Sequence, residues 1–219
     1  MSDDAAEQPQ PRWETSRVEA FSDGVFAIAI TLLVLEITIE PDQYDHLARA
    51  LLDEWPSYLA YVTSFLTVGS VWIAHHALFT RLKYIDSVLL RLNLVLLLVA
   101  AFLPFPTAVL SQAFEESTKS ERAAVAFYGV TALVIELILR AMIRYASTRP
   151  ELVEGEVSPP LPKSERGWRA TVGSAGYALA IALGVLLLPH IAGAFYLLIA
   201  LRGVLVSGHE GRLSIRLSR

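Results

Sequence analysis

The chain has 219 residues, 54% of them hydrophobic, and its mean hydropathy of +0.47 is too high for an ordinary soluble domain of this size. It contains no cysteine, which excludes disulfide bonds, cysteine metal sites and thiol catalysis. The net charge of −4 says little about partners, because it averages over segments on opposite faces of a membrane. Together these properties predict a polytopic membrane protein.

Long, mainly apolar stretches predict the membrane spans, because about 20 such residues cross a hydrocarbon core roughly 30 Å thick. We predict six spans, at residues 18–39, 57–79, 88–111, 122–144, 168–188 and 190–206. Pro104 and Pro106 could kink the third span, and a tight turn in the sequence PHIAG joins the last two.

The segments outside the spans complete the predicted organisation. Residues 1–16 form an N-terminal tail, 17–206 a transmembrane domain and 207–219 a C-terminal tail. Residues 147–167 are rich in proline and charge, which predicts a flexible linker. The sequence DHLARALLDEW, between the first two spans, favours a short surface helix.

The basic residues predict the orientation of the spans. Fifteen of the 18 lysines and arginines fall on the side that holds both termini. Because basic loops stay in the cytoplasm, we expect both termini to be cytoplasmic. The acidic N-terminal stretch lacks the basic and apolar regions of a signal peptide.

Polar residues within the first three spans predict a buried cluster around Asp23. An ionisable side chain inside a span costs a few kcal/mol and usually faces protein or water with a partner. The candidate partners at the same predicted depth are Ser22, Trp72, His75, His76, Arg91 and Asn93. The sequence is equally consistent with a purely structural role for Asp23, as a polar contact between helices. Adjacent histidines on a helix point about 100° apart, which disfavours joint metal binding.

One face of the first span carries Ile28, Thr31, Leu32 and Leu35, at the spacing i, i+3, i+4, i+7. Most apolar stripes of this kind are packing surfaces. Rings of isoleucine, leucine and threonine could also line a narrow pore that is gated by poor wetting. The spacing alone does not decide between these two roles.

Three motifs carry a resemblance to a known family. Residues 17–23, RVEAFSD, fit the pattern R-x-x-x-F-S-D, and they are joined by WIAHH on the second span and by NLVLLL and FLPFPT on the third. The sequence therefore resembles the endosomal and lysosomal potassium channels of the transmembrane-protein-175 type and their bacterial relatives. The motifs cover about the first 110 residues, and the last three spans agree only in number and hydrophobicity.

The resemblance implies an all-α potassium-preferring cation channel with six transmembrane helices per subunit and no enzymatic activity. The FSD tripeptide occurs once, as in the bacterial type, which implies a homotetramer around a central pore lined by the first helix. It also implies a bacterial-type inner (plasma) membrane location. The expected partners are further copies of the chain, the lipid bilayer and potassium ions, with no cofactor and no nucleic acid.

The resemblance also assigns roles to individual residues. Ile28, Leu32 and Leu35 would form the hydrophobic pore constriction, and Thr31 would contribute to potassium selectivity. No resident metal is implied, since potassium only passes near Ile28 and Thr31. The residues implied to hold the pore helix in place are Arg17, Phe21, Ser22, Asp23, Trp72, His75 and Asn93.

Two other function classes remain open from the residues alone. A secondary transporter could use Asp23, His75 or His76 as a proton or cation site, although no inverted repeat is visible. An intramembrane enzyme could use Asp23, His75 and Ser22, although G-x-S-x-G and H-E-x-x-H motifs are absent. For the channel, we hypothesise that Asp23 and a histidine form a pH-sensitive anchor.

Overall fold

The computed structural model is almost entirely helical, and it describes residues 13–113, 118–153, 175–185 and 189–216. The α-helices within these ranges are α1 (Thr15–Leu32), α2 (Leu47–Asp53), α3 (Trp55–Phe79), α4 (Ser87–Phe102), α5 (Pro104–Ala113), α6 (Thr118–Ser147), α7 (Ala175–Val185) and α8 (Pro189–Arg216). Short 3-10 helices occupy Leu33–Glu36, Pro41–His46 and Pro150–Leu152. The predicted short surface helix between the first two spans is α2.

Four helical segments are long and apolar enough to cross a membrane, namely Thr15–Glu36, Trp55–Phe79, Ser87–Ala113 and Lys119–Ser147. They correspond in position to the first four predicted spans. At the predicted fifth and sixth spans the apolar helices are shorter, Ala175–Val185 and Ala192–Leu205. Residues 168–174 and 186–188 lie outside the described ranges, so the count of six spans stays a prediction. Helix α8 continues to Arg216, beyond the predicted end of the sixth span at residue 206.

Two prolines divide the third span into α4 and α5. Pro104 and Pro106 have no N–H to donate, so the regular hydrogen bonding of the helix cannot pass through them. The Leu103 N–H instead donates to the Ala100 carbonyl at 3.2 Å, and regular bonding resumes where the Thr107 N–H donates to the Leu103 carbonyl at 3.1 Å.

The loop between α3 and α4 joins the start of α1 to the end of α6. Trp13 and Ile85 exchange two backbone hydrogen bonds, of 2.9 and 3.1 Å, and the Lys83 N–H donates to the Leu152 carbonyl at 2.8 Å. The side chains of Ile85 and Leu152 are buried. The first residues of the segment predicted as a flexible linker therefore pack onto the protein, because Leu152 finds an apolar site there. Residues 154–167 of that segment lie outside the described ranges.

A cluster of hydroxyl groups ties the kinked third span to its neighbours. Ser64 Oγ on α3 lies 2.8 Å from Thr107 Oγ1 on α5 and 3.2 Å from the hydroxyl oxygen of Tyr128 on α6. All three side chains are buried. Such bonds matter inside a bilayer, because the apolar surfaces of helices have no hydrophobic drive to associate there.

We expect Thr107→Val to lower the free energy of unfolding by about 1 kcal/mol, because it removes the interhelical hydroxyl contact while keeping the side-chain shape. Thr131→Val is the matched control, since among the described residues the Thr131 hydroxyl bonds to the Phe127 carbonyl of its own helix and to no other helix. Thermal unfolding of the purified protein in detergent should show a clearly larger loss for Thr107→Val. Equal losses in the two variants would contradict the interhelical role.

Candidate functional site

Helix α1 is held to the rest of the chain by one face. The 3-10 helix Leu33–Glu36 continues α1 directly, and the faces of α1 described below include it. Ser22, Phe26, Ala29 and Leu33 recur at i, i+4, i+7 and i+11, and each is at most 1% exposed. Helices α3 and α4 both pack against α1. This face therefore sets the position and the rotation of α1 within the chain.

The other face of α1 carries the predicted constriction residues and is left uncovered by the described part of the chain. Ile28, Leu32 and Leu35 are 61%, 41% and 66% exposed. Thr31 is also exposed, and its hydroxyl donates to the Ile28 carbonyl at 2.9 Å. The hydroxyl oxygen keeps its lone pairs free on the exposed side. An apolar face that carries one such hydroxyl oxygen can face lipid, another copy of the chain or a pore.

A buried chain of hydrogen bonds joins α1 to α3 and α4. The Ser22 hydroxyl donates to the Val18 carbonyl at 2.8 Å, and Asn93 Nδ2 donates to Ser22 Oγ at 2.9 Å. The Asn93 Oδ1 is then an acceptor, so the His75 Nε2–H donates to it across 2.9 Å. Ser22, His75 and Asn93 are all fully buried. We call these three residues the buried network.

The surroundings of His75 determine which ring nitrogen carries the proton. Phe79 stacks on the ring with centroids 4.0 Å apart, and Phe26 meets it edge-on at 5.4 Å. Because Nε2 donates to Asn93, Nδ1 is the bare nitrogen of the neutral ring, and it has no hydrogen-bond partner within the described residues. A second proton on Nδ1 would have no acceptor, so His75 serves here as a fixed donor.

A second set of contacts joins α1 to α3 at a more exposed position. Trp72 Nε1–H donates to Asp23 Oδ1 at 2.8 Å, and His76 Nδ1–H donates to Glu19 Oε1 at 2.8 Å. The rings of Trp72 and His76 stack with centroids 6.0 Å apart. We call Glu19, Asp23, Trp72 and His76 the outer ladder.

The structure leaves three of the expected partners outside both groups. Arg17 and Phe21 are exposed and line a crevice between α1 and α4, and no hydrogen bond joins Arg17 to Asp23 in the described part of the chain. The Arg91 Nε–H donates to the Ser87 carbonyl of its own helix at 2.9 Å. Sequence reasoning missed Glu19. The available signal was its spacing of four residues from Asp23, which matches that of Trp72 and His76 on α3.

Comparison with known proteins places the chain in a family. A family model described as the endosomal/lysosomal potassium channel TMEM175 matches residues 17–104. A protein of Streptomyces collinus named as a potassium channel is 41% identical over 177 residues, which cover 80% of this chain and 85% of that relative. The chain belongs to the TMEM175 family. The recognition from the RVEAFSD, WIAHH and third-span motifs is confirmed.

Two further matches agree with this TMEM175 assignment. A potassium channel of Chamaesiphon minutus is 40% identical over 143 residues, covering 64% of this chain and 70% of that relative. The crystal structure of a lysosomal potassium-selective channel TMEM175 homolog from Chamaesiphon minutus superimposes with a TM-score of 0.75 at 32% identity, covering 88% of this chain and 97% of that one. The family is one of membrane channels rather than enzymes, so the intramembrane-enzyme alternative is set aside.

The buried network and the outer ladder should differ in their effect on stability. We expect Asn93→Leu to lower the free energy of unfolding by about 1–3 kcal/mol. The variant leaves the buried His75 Nε2–H without its acceptor and the Ser22 hydroxyl oxygen without its donor. Trp72→Phe should cost less, since Asp23 remains accessible to water. Thermal unfolding in detergent compares the two variants. A greater loss in Trp72→Phe than in Asn93→Leu would contradict this ranking.

Proposed function

We propose that the chain is a passive, potassium-preferring channel in which α1 lines the pore of a homotetramer. Two relatives and the similar solved structure are named potassium channels. The observation that carries the proposal is the division of α1 into a fully buried face and an uncovered apolar face with Ile28, Thr31, Leu32 and Leu35. Four copies that turn these faces toward one axis would enclose a conduction path.

In such an assembly the uncovered face forms successive apolar rings. Ile28 and Leu35 are seven residues apart, which is about 10 Å along a helix, so the constriction is short compared with the bilayer. An apolar constriction supplies no cage of oxygen ligands, and an ion must lose part of its hydration to pass. That loss is smaller for potassium than for sodium, which favours potassium. The four Thr31 hydroxyl oxygens offset part of the cost.

The two contact groups have a positioning role in this mechanism. Successive residues of a helix point about 100° apart, so a small rotation of α1 would remove Ile28 from the axis. The buried network fixes the rotation from α3 and α4, and the outer ladder fixes it again from α3. Asp23 and Ser22 then act as structural groups and do not coordinate the ion.

The same contacts favour a channel over a secondary transporter. A coupling site needs groups that exchange protons or ions during the cycle. The Ser22, His75 and Asn93 groups are instead committed to one another in a closed environment, Asp23 accepts from Trp72, and His76 donates to Glu19. We place the channel in a bacterial-type inner membrane as a multi-pass protein with cytoplasmic termini, working without a cofactor.

The function is tested by potassium flux from liposomes that contain the purified protein, with Ile28→Asn compared with the wild type. We expect passive flux down a potassium gradient in the wild type. A polar ring at residue 28 lowers the dehydration cost for every cation, so Ile28→Asn should conduct faster and discriminate less between potassium and sodium.

The control for this experiment is Leu98→Asn on α4, which places the same polar group at a side chain that is exposed elsewhere in the chain. Its potassium-to-sodium ratio should equal that of the wild type. Flux that requires a proton or sodium gradient would indicate a transporter. An unchanged potassium-to-sodium ratio in Ile28→Asn would contradict the proposal that α1 forms the constriction.

A further inference from the structure

The outer ladder contains a histidine–carboxylate contact between His76 and Glu19, which occupies an unspecified position of the R-x-x-x-F-S-D pattern. Glu19 and Asp23 lie one turn apart on α1, and Trp72 and His76 lie one turn apart on α3. Glu19 meets His76 and Asp23 meets Trp72, so the two helices are antiparallel and the contacts form two successive rungs. The rings of Trp72 and His76 lie nearly parallel between the rungs, with centroids 6.0 Å apart.

The two histidines differ in what a proton would meet. His75 is enclosed and has no carboxylate contact, whereas the His76 side chain is 52% exposed and lies 2.8 Å from the carboxylate of Glu19, which is 22% exposed. Protonation of His76 would therefore complete an ion pair with Glu19. His76 also lies in the last turn of α3, where the helix dipole favours a cation.

Among the described charged groups around His76, Glu19 is the one that contacts its ring. On α1, Glu19 faces the ring and Asp23 lies one turn further, and among the described residues neither carboxylate pairs with a lysine or arginine. Arg17 lines the crevice on the α4 side of α1. On α3, the adjacent His75 is turned toward Asn93.

The remaining described cations near this level belong to other segments. Arg81 and Lys83 follow the end of α3, and both are exposed. On α8, Arg202 adjoins Gly203, which packs against Ser70. Ser70 precedes His76 by six residues, or about 9 Å along the helix axis. On α4, Arg91 is bonded to its own helix.

We propose that Glu19 and His76 are a positioning pair that sets the rotation of α1, so that potassium conductance depends on pH through their ion pairing. This rests on the proposed channel function. With a protonated imidazole the pair is charged on both sides and holds α1 against α3 more strongly. With a neutral imidazole the contact is an ordinary hydrogen bond. The pH response thus arises at His76, and its carboxylate partner is Glu19 in place of Asp23, which the sequence hypothesis named.

The test measures potassium flux from liposomes with equal pH on both sides, between about pH 5 and pH 8. A solvent-exposed ion pair is enough to change a two-state population about fivefold, so wild-type flux should change by up to about that factor. Glu19→Gln keeps an oxygen acceptor but removes the charge, and His76→Gln removes the titrating group. Both should lose the pH-dependent change while keeping the potassium-to-sodium ratio.

A charge swap separates a specific ion pair from a general structural role. The double variant Glu19→His, His76→Glu places the same two groups on opposite helices and should restore the pH-dependent change. His46→Gln is the control, because His46 lies exposed outside the four spans and its loss should leave the pH response intact. Size-exclusion elution identifies variants that fail to assemble. If His76→Gln fails to assemble, the test rests on the pH response of Glu19→Gln.

Each result bears on one proposal. A wild-type pH response that persists in Glu19→Gln, or wild-type flux that does not change with pH, would overturn the role of this pair. Loss of the response that the swapped variant does not restore would also overturn it. An absence of passive wild-type potassium flux at every pH would instead overturn the channel function.

Discussion

Hydrogen bonds between Ser22, Asn93 and His75 join three helices inside the membrane-spanning part of the chain. In a bilayer the apolar faces of helices are solvated by lipid, so close packing and polar contacts must hold them together. The buried network does this at the point where α1 carries its signature motif. Since its donor atoms have acceptors, the network favours one rotation of α1, and the outer ladder adds a second restraint on that rotation.

The rotation of α1 determines which of its residues remain exposed. A helix that could turn freely would bury its apolar residues against the nearest neighbour. Here Phe26, Ala29 and Leu33 already fill the contact with the chain, and Ile28, Leu32 and Leu35 remain outside it. The outer ladder adds a second restraint from α3, and it is exposed where the buried network is closed. Helix α1 is therefore held by the closed contacts of the buried network and by the more exposed contacts of the outer ladder.

Much of this arrangement could be predicted from the sequence. The RVEAFSD, WIAHH and third-span motifs identified the family, and the prolines at 104 and 106 marked the break between α4 and α5. The long, mainly apolar stretches predicted the positions of the four long apolar helical segments. The common depth of Asp23, the two histidines and Asn93 also followed from span boundaries alone. These features depend on local composition and on helix length, which a single sequence carries directly.

The remaining features depend on how helices rotate and meet. Adjacent residues point about 100° apart, so only the rotation of α3 decides that His75 faces Asn93 while His76 faces Glu19. From the sequence alone Glu19 is indistinguishable from an ordinary charged residue at a span end. Its contact with His76 appears only when α3 is placed beside α1. The packing of Leu152 under the α3–α4 loop is likewise a tertiary contact, which its proline-rich surroundings in the sequence conceal.

The central claim is that the uncovered face of α1 lines the path of the ion, and cysteine accessibility tests it most directly. The chain has no native cysteine, so single substitutions report on one position each. A small cationic thiol reagent applied during potassium flux should block Ile28→Cys, Thr31→Cys, Leu32→Cys and Leu35→Cys. It should leave Phe26→Cys, Ala29→Cys and Leu33→Cys conducting. A block at the buried positions, or none at the exposed ones, would contradict the account.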